Sequence, residues 1–114
     1  MLRQGREYVQ QGEFEDALAA LTKAAELDPK SPVIYNTRGY AHLRARDYAA
    51  AIQDFSMAID LNPSYANAYW NRGVARRLSK DEAGGRQDMQ RAAQLGWSSK
   101  LPTHGVRVRA DGTT

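Results

Sequence analysis

The side chains that most often carry catalysis are few in this sequence, and they lie far apart. The 114 residues contain no cysteine and two histidines, His42 and His104, so thiol nucleophiles, thiolate metal ligands and disulfides are excluded. No glycine-rich loop has the spacing that holds a phosphate, and no residues have metal-ligand spacing. Asp54 and Asp88 are one repeat period apart and are predicted to be surface charges. The sequence therefore predicts no enzyme, no metal and no other cofactor.

Basic residues are the second group with functional potential, and they are concentrated late in the sequence. Residues 1–30 hold four basic and six acidic side chains, whereas residues 72–114 hold nine basic and four acidic. Such a region attracts acidic peptides, nucleic acid or anionic surfaces, and it is equally compatible with a solvated helix face. The residues that would contact a nucleic acid are Arg72, Arg76, Arg77, Arg86, Arg91, Arg107 and Arg109, with Trp70 stacking on a base. Interspersed acidic residues and the absence of an RNA-binding motif argue against this alternative.

The elements that must position these side chains repeat every 34 residues. Small and apolar residues recur in register at Gly5, Gly39 and Gly73, at Ala24, Ala58 and Ala92, and at Leu27, Leu61 and Leu95. A fixed period of this length indicates an array of helix pairs. In the middle unit, Ser31 and Pro32 are favourable helix-start residues, and Asn62 before Pro63 ends the second helix. We therefore predict one helix to about Ala45 and another over residues 48–61.

The second helix of the third unit is predicted to be the least stable. Gly84 and Gly85 stand where the other units have alanine or aspartate, and Arg86 replaces Leu18 and Ile52. Each glycine in a helix costs about 1 kcal/mol relative to alanine. Gly85→Ala is therefore expected to raise stability by about 1 kcal/mol, provided that a methyl group has room.

The positions that recur in each unit resemble the signature of the tetratricopeptide repeat (TPR) family. An aromatic residue precedes a glycine by four positions, followed by alanine, aromatic, alanine and proline, at Tyr35, Gly39, Ala51, Phe55, Ala58 and Pro63. The third unit departs from the pattern at Gly85, Met89 and Trp97. The resemblance covers residues 1 to about 96. It implies an all-α right-handed superhelix, a TPR solenoid of six antiparallel helices.

The resemblance also implies a protein-interaction scaffold that binds a peptide segment of a partner in a concave groove. The first helix of each pair would line that groove. Carried onto this sequence, the expected peptide-binding residues are Arg6, Asn36, Thr37, Tyr40, Arg44, Trp70, Asn71 and Arg77. Amides bond to a peptide backbone and arginines to carboxylates, so we expect a protein or peptide partner with acidic groups. Tyr40 and Trp70 would offer apolar contact or pack between helices.

The best-known TPR ligand is the C-terminal carboxylate of the heat-shock chaperones, held by a clamp of lysine, asparagine and arginine. This sequence departs from that clamp at five positions, which hold Leu2, Arg6, Thr37, Asn67 and Asn71. The departures argue against binding of a chaperone tail and leave a different acidic peptide open.

Residues 1–96 are predicted to form the repeat domain, in units 1–29, 30–63 and 64–96, and residues 97–114 a flexible tail. Trp97 and Leu101 would alternatively fold back over one end. Because the array starts in mid-repeat and no obvious polar capping helix follows Leu95, self-association through the uncapped ends into a homo-oligomer is an alternative function, beside nucleic-acid binding. No signal peptide or membrane span is indicated, so a cytoplasmic location is the default.

Overall fold

The computed structural model describes residues 1–97, which form six helices arranged in three antiparallel pairs. The helices are α1 (Leu2–Gln10), α2 (Phe14–Leu27), α3 (Pro32–Arg44), α4 (Tyr48–Leu61), α5 (Ala66–Leu78) and α6 (Glu82–Gln94). Successive pairs pack together through α2 against α3 and α4 against α5. The predicted all-α solenoid is confirmed. None of these helices is long and apolar enough to cross a membrane, and the predicted tail lies, except for Trp97, outside the described residues.

The turn inside each helix pair is built from the same local hydrogen bonds. In the middle pair, Arg46 has a positive φ of 68°, and the N–H of Asp47 donates to the carbonyl oxygen of His42 at 2.9 Å. The Asp47 side chain then accepts from the N–H of Ala50 and caps α4. Gly12 and Lys80 have a positive φ at the same repeat position. A few residues at each turn therefore determine where one helix ends and the next begins.

The first helix of each pair carries a glycine where the second helix packs closely against it. A β-carbon on Gly39 would lie 2.7 Å from the ring of Phe55 and 3.2 Å from the carbonyl oxygen of Ala51. Both of these residues are fully buried, so neither has space to move away. Gly5 makes the equivalent approach to Leu21. The short distance between the helices thus explains why glycine recurs at this position.

In the second and in the third helix pair, an arginine on the first helix forms an ion pair with a buried aspartate on the second helix. Arg38 on α3 donates to both carboxylate oxygens of Asp54 on α4, each at 2.8 Å, and Arg72 and Asp88 form the same bidentate contact at 2.9 Å. Asp54 is 6% exposed and Asp88 is 4% exposed, so the prediction that they are surface charges is wrong. The hydrogen bonds to Asp54 raise the pKa of Arg38 against the opposing effect of burial. Each buried carboxylate needs its arginine because an unpaired charge in the interior is costly.

The same arginines also link each pair to the pair before it. Arg38 Nη1 lies 3.5 Å from the hydroxyl oxygen of Thr22 on α2. Arg72 Nη1 donates at 3.1 Å to the hydroxyl oxygen of Ser56 on α4, which is the equivalent repeat position. Each guanidinium therefore contacts the second helix of its own pair and that of the preceding pair, and so contributes to the register of the stack.

Asp54→Ala is expected to lower the free energy of unfolding by about 3 kcal/mol, because it leaves Arg38 partly buried without its counter-charge. Urea denaturation followed by circular dichroism measures the change. Asp60→Ala removes an exposed carboxylate from the same helix and should change stability by no more than about 0.5 kcal/mol. Equal losses for the two variants would contradict a structural role of the Arg38–Asp54 pair.

Two glycines bring α5 and α6 together in the third pair. A β-carbon on Gly85 would lie 2.8 Å from the carbonyl oxygen of Gly73 and would overlap the side chain of Arg77. A β-carbon on Gly73 would lie 2.9 Å from the carbonyl oxygen of Gly85. Backbone atoms thus occupy the space that a methyl group would need. The condition for a stabilising Gly85→Ala substitution is not met, because this glycine permits close packing.

Gly85→Ala is accordingly expected to lower the free energy of unfolding by about 1–3 kcal/mol, since α5 and α6 must move apart. Thermal and urea denaturation measure the effect. Gln87→Ala places alanine at an exposed position of the same helix and should be nearly neutral. A gain in stability for Gly85→Ala would show that the helices can separate without cost.

Candidate functional site

The first helices of the three pairs line a concave pocket of about 480 Å³. Its lining residues are Arg6, Val9, Gln10, Asn36, Thr37, Tyr40, Tyr65, Asn67, Trp70, Asn71 and Trp97. They come from α1, α3 and α5 and from the segments that precede α5 and follow α6. The volume lies within the range of pockets that hold ligands.

Six of the eight expected peptide-binding residues line this pocket, namely Arg6, Asn36, Thr37, Tyr40, Trp70 and Asn71. The other two lie outside it. The guanidinium of Arg44 lies over the rings of Phe14 and Tyr40, 5.6 Å and 5.8 Å from their centroids. Arg77 Nε lies 3.4 Å from an oxygen of Glu82 at the far end of the array. A role of Arg44 and Arg77 in binding stays a prediction.

Four polar side chains form a continuous hydrogen-bonded network in the pocket. Asn36 Nδ2 donates to the hydroxyl oxygen of Tyr65 at 3.3 Å. Asn71 Nδ2 donates to Asn36 Oδ1 at 3.2 Å and to Asn67 Oδ1 at 2.7 Å. Asn36 is 8% exposed, and its amide depends on these partners because a buried polar group without one is costly. The network connects α3 to the first turns of α5 and orients the amides.

Several atoms of the network remain available to a ligand. Within residues 1–97, Asn71 Oδ1 accepts no hydrogen bond and Asn67 Nδ2 donates none. An amide acceptor and an amide donor on neighbouring side chains suit the N–H and C=O groups of a peptide backbone. Burial raises the pKa of Tyr65, although its hydrogen bond with Asn36 and the charge of Arg6 oppose the shift. The hydroxyl group of Tyr65 is therefore protonated at neutral pH and can donate.

Arg6 is the charged group of the pocket. Among the described residues that line it, Arg6 alone carries a formal charge. Its side chain is exposed and forms no ion pair with any residue in the range 1–97. A free guanidinium at the α1 wall can form a bidentate contact with a carboxylate. The pocket thus has one cationic position within an otherwise neutral, amide-rich surface.

Two tryptophans close the pocket beside α5. The rings of Trp70 and Trp97 are stacked, with their centroids 3.9 Å apart and their planes inclined by 14°. Both residues are half-buried and both line the pocket. Trp70 therefore faces the groove and packs against another aromatic ring at the same time.

Sequence reasoning did not include Tyr65, Asn67 and Trp97 among the peptide-binding residues. Tyr65 stands at the repeat position of Ser31, and Trp97 stands at that of Pro63. Aromatic residues that replace the serine or proline of another repeat were a signal in the sequence for these two positions. Asn67 was named from the sequence only as a departure from the chaperone-tail clamp.

The described residues form no metal site and place His42 beside a buried carboxylate. Within residues 1–97, no group of three histidine, cysteine, aspartate or glutamate side chains is placed to hold a metal ion. His42 Nε2 lies 3.7 Å from Asp54 Oδ2, at the repeat position where Arg76 contacts Asp88 at 2.9 Å. This histidine thus packs beside a carboxylate that is already bound to Arg38.

The two alternative functions gain no support from the described residues. Asp88 holds both Arg72 and Arg76, which removes two arginines from a possible contact with nucleic acid, and Arg107 and Arg109 lie outside the described range. For self-association through the ends of the array, one of the two end surfaces is the outer face of α6. Leu18 and Ile52 pack against buried clusters that each include a residue of the next helix pair, whereas the same position on α6 holds the exposed Arg86. A second copy stacked there would have to cover this charge.

The sequence and the fold both match known repeat proteins. The tetratricopeptide repeat family model matches residues 2–66 and 36–100. Among curated protein sequences, none matches this chain significantly. The structure of the first TPR of Spaghetti (RPAP3) bound to the HSP90 peptide SRMEEVD has a TM-score of 0.81 and 33% identity, over 83% of this chain and 75% of that chain.

Two further structures show the same arrangement of helices. The second TPR domain of human RPAP3, in complex with the HSP70 peptide SGPTIEEVD, has a TM-score of 0.80 and 26% identity, over 86% of this chain and 82% of that chain. The crystal structure of MamA has a TM-score of 0.79 and 27% identity, over 83% of this chain and 56% of that chain. The chain therefore belongs to the tetratricopeptide repeat family.

Proposed function

We propose that this chain is a non-enzymatic interaction module that binds an extended, acidic peptide segment of a partner protein in its concave pocket. The observation that carries the proposal is the composition of that pocket. It combines amide groups and an arginine that have bonding capacity left over within residues 1–97, together with several aromatic faces, in about 480 Å³. These are the groups that recognise a peptide.

The backbone of the peptide would bond to the asparagines. Asn71 Oδ1 would accept from a backbone N–H, and Asn67 Nδ2 would donate to a backbone C=O. The hydrogen bonds that these two amides already make with each other and with Asn36 hold them in place, so little side-chain entropy is lost on binding. Contacts of this kind depend little on the peptide sequence.

Specificity for acidic segments would come from Arg6. Its guanidinium is the charged group among the described lining residues, and no ion pair within residues 1–97 would have to break for it to bind a carboxylate. A charge-assisted hydrogen bond contributes about 1.5–3 kcal/mol. The binding of an acidic side chain would therefore depend strongly on this one residue.

The structural neighbours support a peptide as the partner and leave its identity open. The RPAP3 domains are bound to the peptides SRMEEVD and SGPTIEEVD, which are acidic and end in the same four residues. In this chain the positions of the chaperone-tail clamp hold Leu2, Arg6, Thr37, Asn67 and Asn71. We propose that these differences shift recognition from a C-terminal carboxylate to the backbone and an acidic side chain of a different segment.

A random 12-residue peptide library displayed on phage tests the proposal with the whole chain as bait. We expect enriched peptides to share an acidic residue, and Arg6→Ala to weaken a selected peptide, labelled and followed by fluorescence anisotropy, by about tenfold or more. Selection of no peptide, or of peptides without acidic residues, would contradict the proposal.

Arg3→Ala is the matched control for this experiment. It removes the same charge from the same helix at an exposed position outside the pocket, and the affinity should stay within about twofold. Equal losses for Arg3→Ala and Arg6→Ala would mean that binding responds to net charge and not to a contact in the pocket.

A further inference from the structure

Trp97 follows a different local path from the residues that share its repeat position. In the second repeat α4 ends at Leu61, and the chain continues through Asn62 in an extended conformation with φ −145°. The equivalent of Asn62 in the third repeat is Gly96, whose φ is 98°. Glycine adopts this left-handed conformation without the steric penalty that other residues incur. The chain therefore leaves α6 in a different direction from the one it takes after α4.

Two backbone hydrogen bonds fix that direction. The N–H of Gly96 donates to the carbonyl oxygen of Ala93 at 3.0 Å, and the N–H of Trp97 donates to that of Ala92 at 2.9 Å. This is a Schellman motif, which determines the path of the residue after the glycine. From this backbone position the indole ring of Trp97 stacks on that of Trp70, with 3.9 Å between the centroids. The position of Trp97 thus follows from the end of α6 and needs no ligand.

The ring of Trp97 covers Trp70 in the way that a residue of the next repeat covers the equivalent position on α3. Asn36 on α3 is covered by Tyr65, which belongs to the segment before α5. Trp70 occupies the repeat position of Asn36 on α5, and it is covered by Trp97. At this end of the pocket, therefore, the stacked rings of Trp70 and Trp97 replace the hydrogen-bonded pair of Asn36 and Tyr65 found one repeat earlier.

We infer that Trp97 is a specificity-determining residue, which together with Trp70 forms an apolar wall that selects a peptide carrying a large apolar side chain. The inference rests on the proposed function of the pocket and adds a second requirement to it. Arg6 belongs to α1 and the tryptophans lie beside α5, so the two contacts fall on different walls of one pocket. The free energy gained by burying apolar surface against an indole ring is largest for a side chain with a large apolar area.

The test uses the selected peptides and a double-mutant cycle. Trp97→Ala should weaken a selected peptide about tenfold, and Trp97→Phe should weaken it less, because a phenyl ring retains part of the stack. The same peptide with its large apolar residue changed to alanine should bind the native chain and Trp97→Ala about equally well, which isolates the contact. Near-ultraviolet circular dichroism of Trp97→Phe and far-ultraviolet circular dichroism of both variants verify folding.

The outcomes separate this inference from the proposed function. If Arg6→Ala lowers the affinity for the peptide and neither Trp97 variant does, the pocket binds peptides but Trp97 does not determine specificity. Tighter binding by Trp97→Ala would mean that Trp97 competes with the ligand, which overturns its role as a wall. If the native chain selects no peptide, both the proposed function and this inference fail.

Discussion

In each helix pair a glycine on the first helix allows the second helix to pack close to it. The positions of the groove side chains depend on this short distance between the two helices. Gly39 leaves room for the ring of Phe55, and any β-carbon there would force α3 away from α4 in a core that has no free space. In the third pair both helices carry a glycine at the contact, Gly73 and Gly85, and a β-carbon on either would lie within 2.9 Å of the other's carbonyl oxygen. The first helices carry most of the pocket residues, so a change in these distances would move one wall of the pocket relative to the others. The same glycines that weaken each helix in isolation therefore position the site.

Ion pairs inside the array determine how its charge is presented. The third repeat is rich in arginine, yet Arg72 and Arg76 both contact the buried Asp88. The first repeat has Gln4 and Ala20 at the positions of the arginine and aspartate, and its Arg6, which forms no ion pair within residues 1–97, lines the pocket. The count of basic residues along the sequence thus does not give the distribution of charge on the surface. Among the described lining residues, the pocket holds one cationic side chain, Arg6, and otherwise neutral groups.

The pocket combines two kinds of surface that make different demands on a ligand. The amides of Asn36, Asn67 and Asn71 are connected to one another and offer backbone contacts that most extended peptides satisfy. Trp70 and Trp97 offer an apolar face that only some side chains fill. In the proposed complex, affinity for a backbone and selectivity for side chains would therefore reside in separate parts of the same pocket. Binding through such neutral contacts is screened less by salt than binding through a basic surface.

The sequence by itself determined the repeat, the helices and most of the pocket lining. The middle pair was predicted over residues 32–45 and 48–61, and its helices are Pro32–Arg44 and Tyr48–Leu61, because caps, prolines and apolar periodicity act over a few residues. Position within the repeat decides which face a residue occupies, so six expected site residues share one pocket. Only the tertiary structure decided the burial of Asp54, the contact of Gly85 and the stacking of Trp97. Each of these depends on what a different helix places opposite the residue, and sequence spacing carries no information about that atom-to-atom distance.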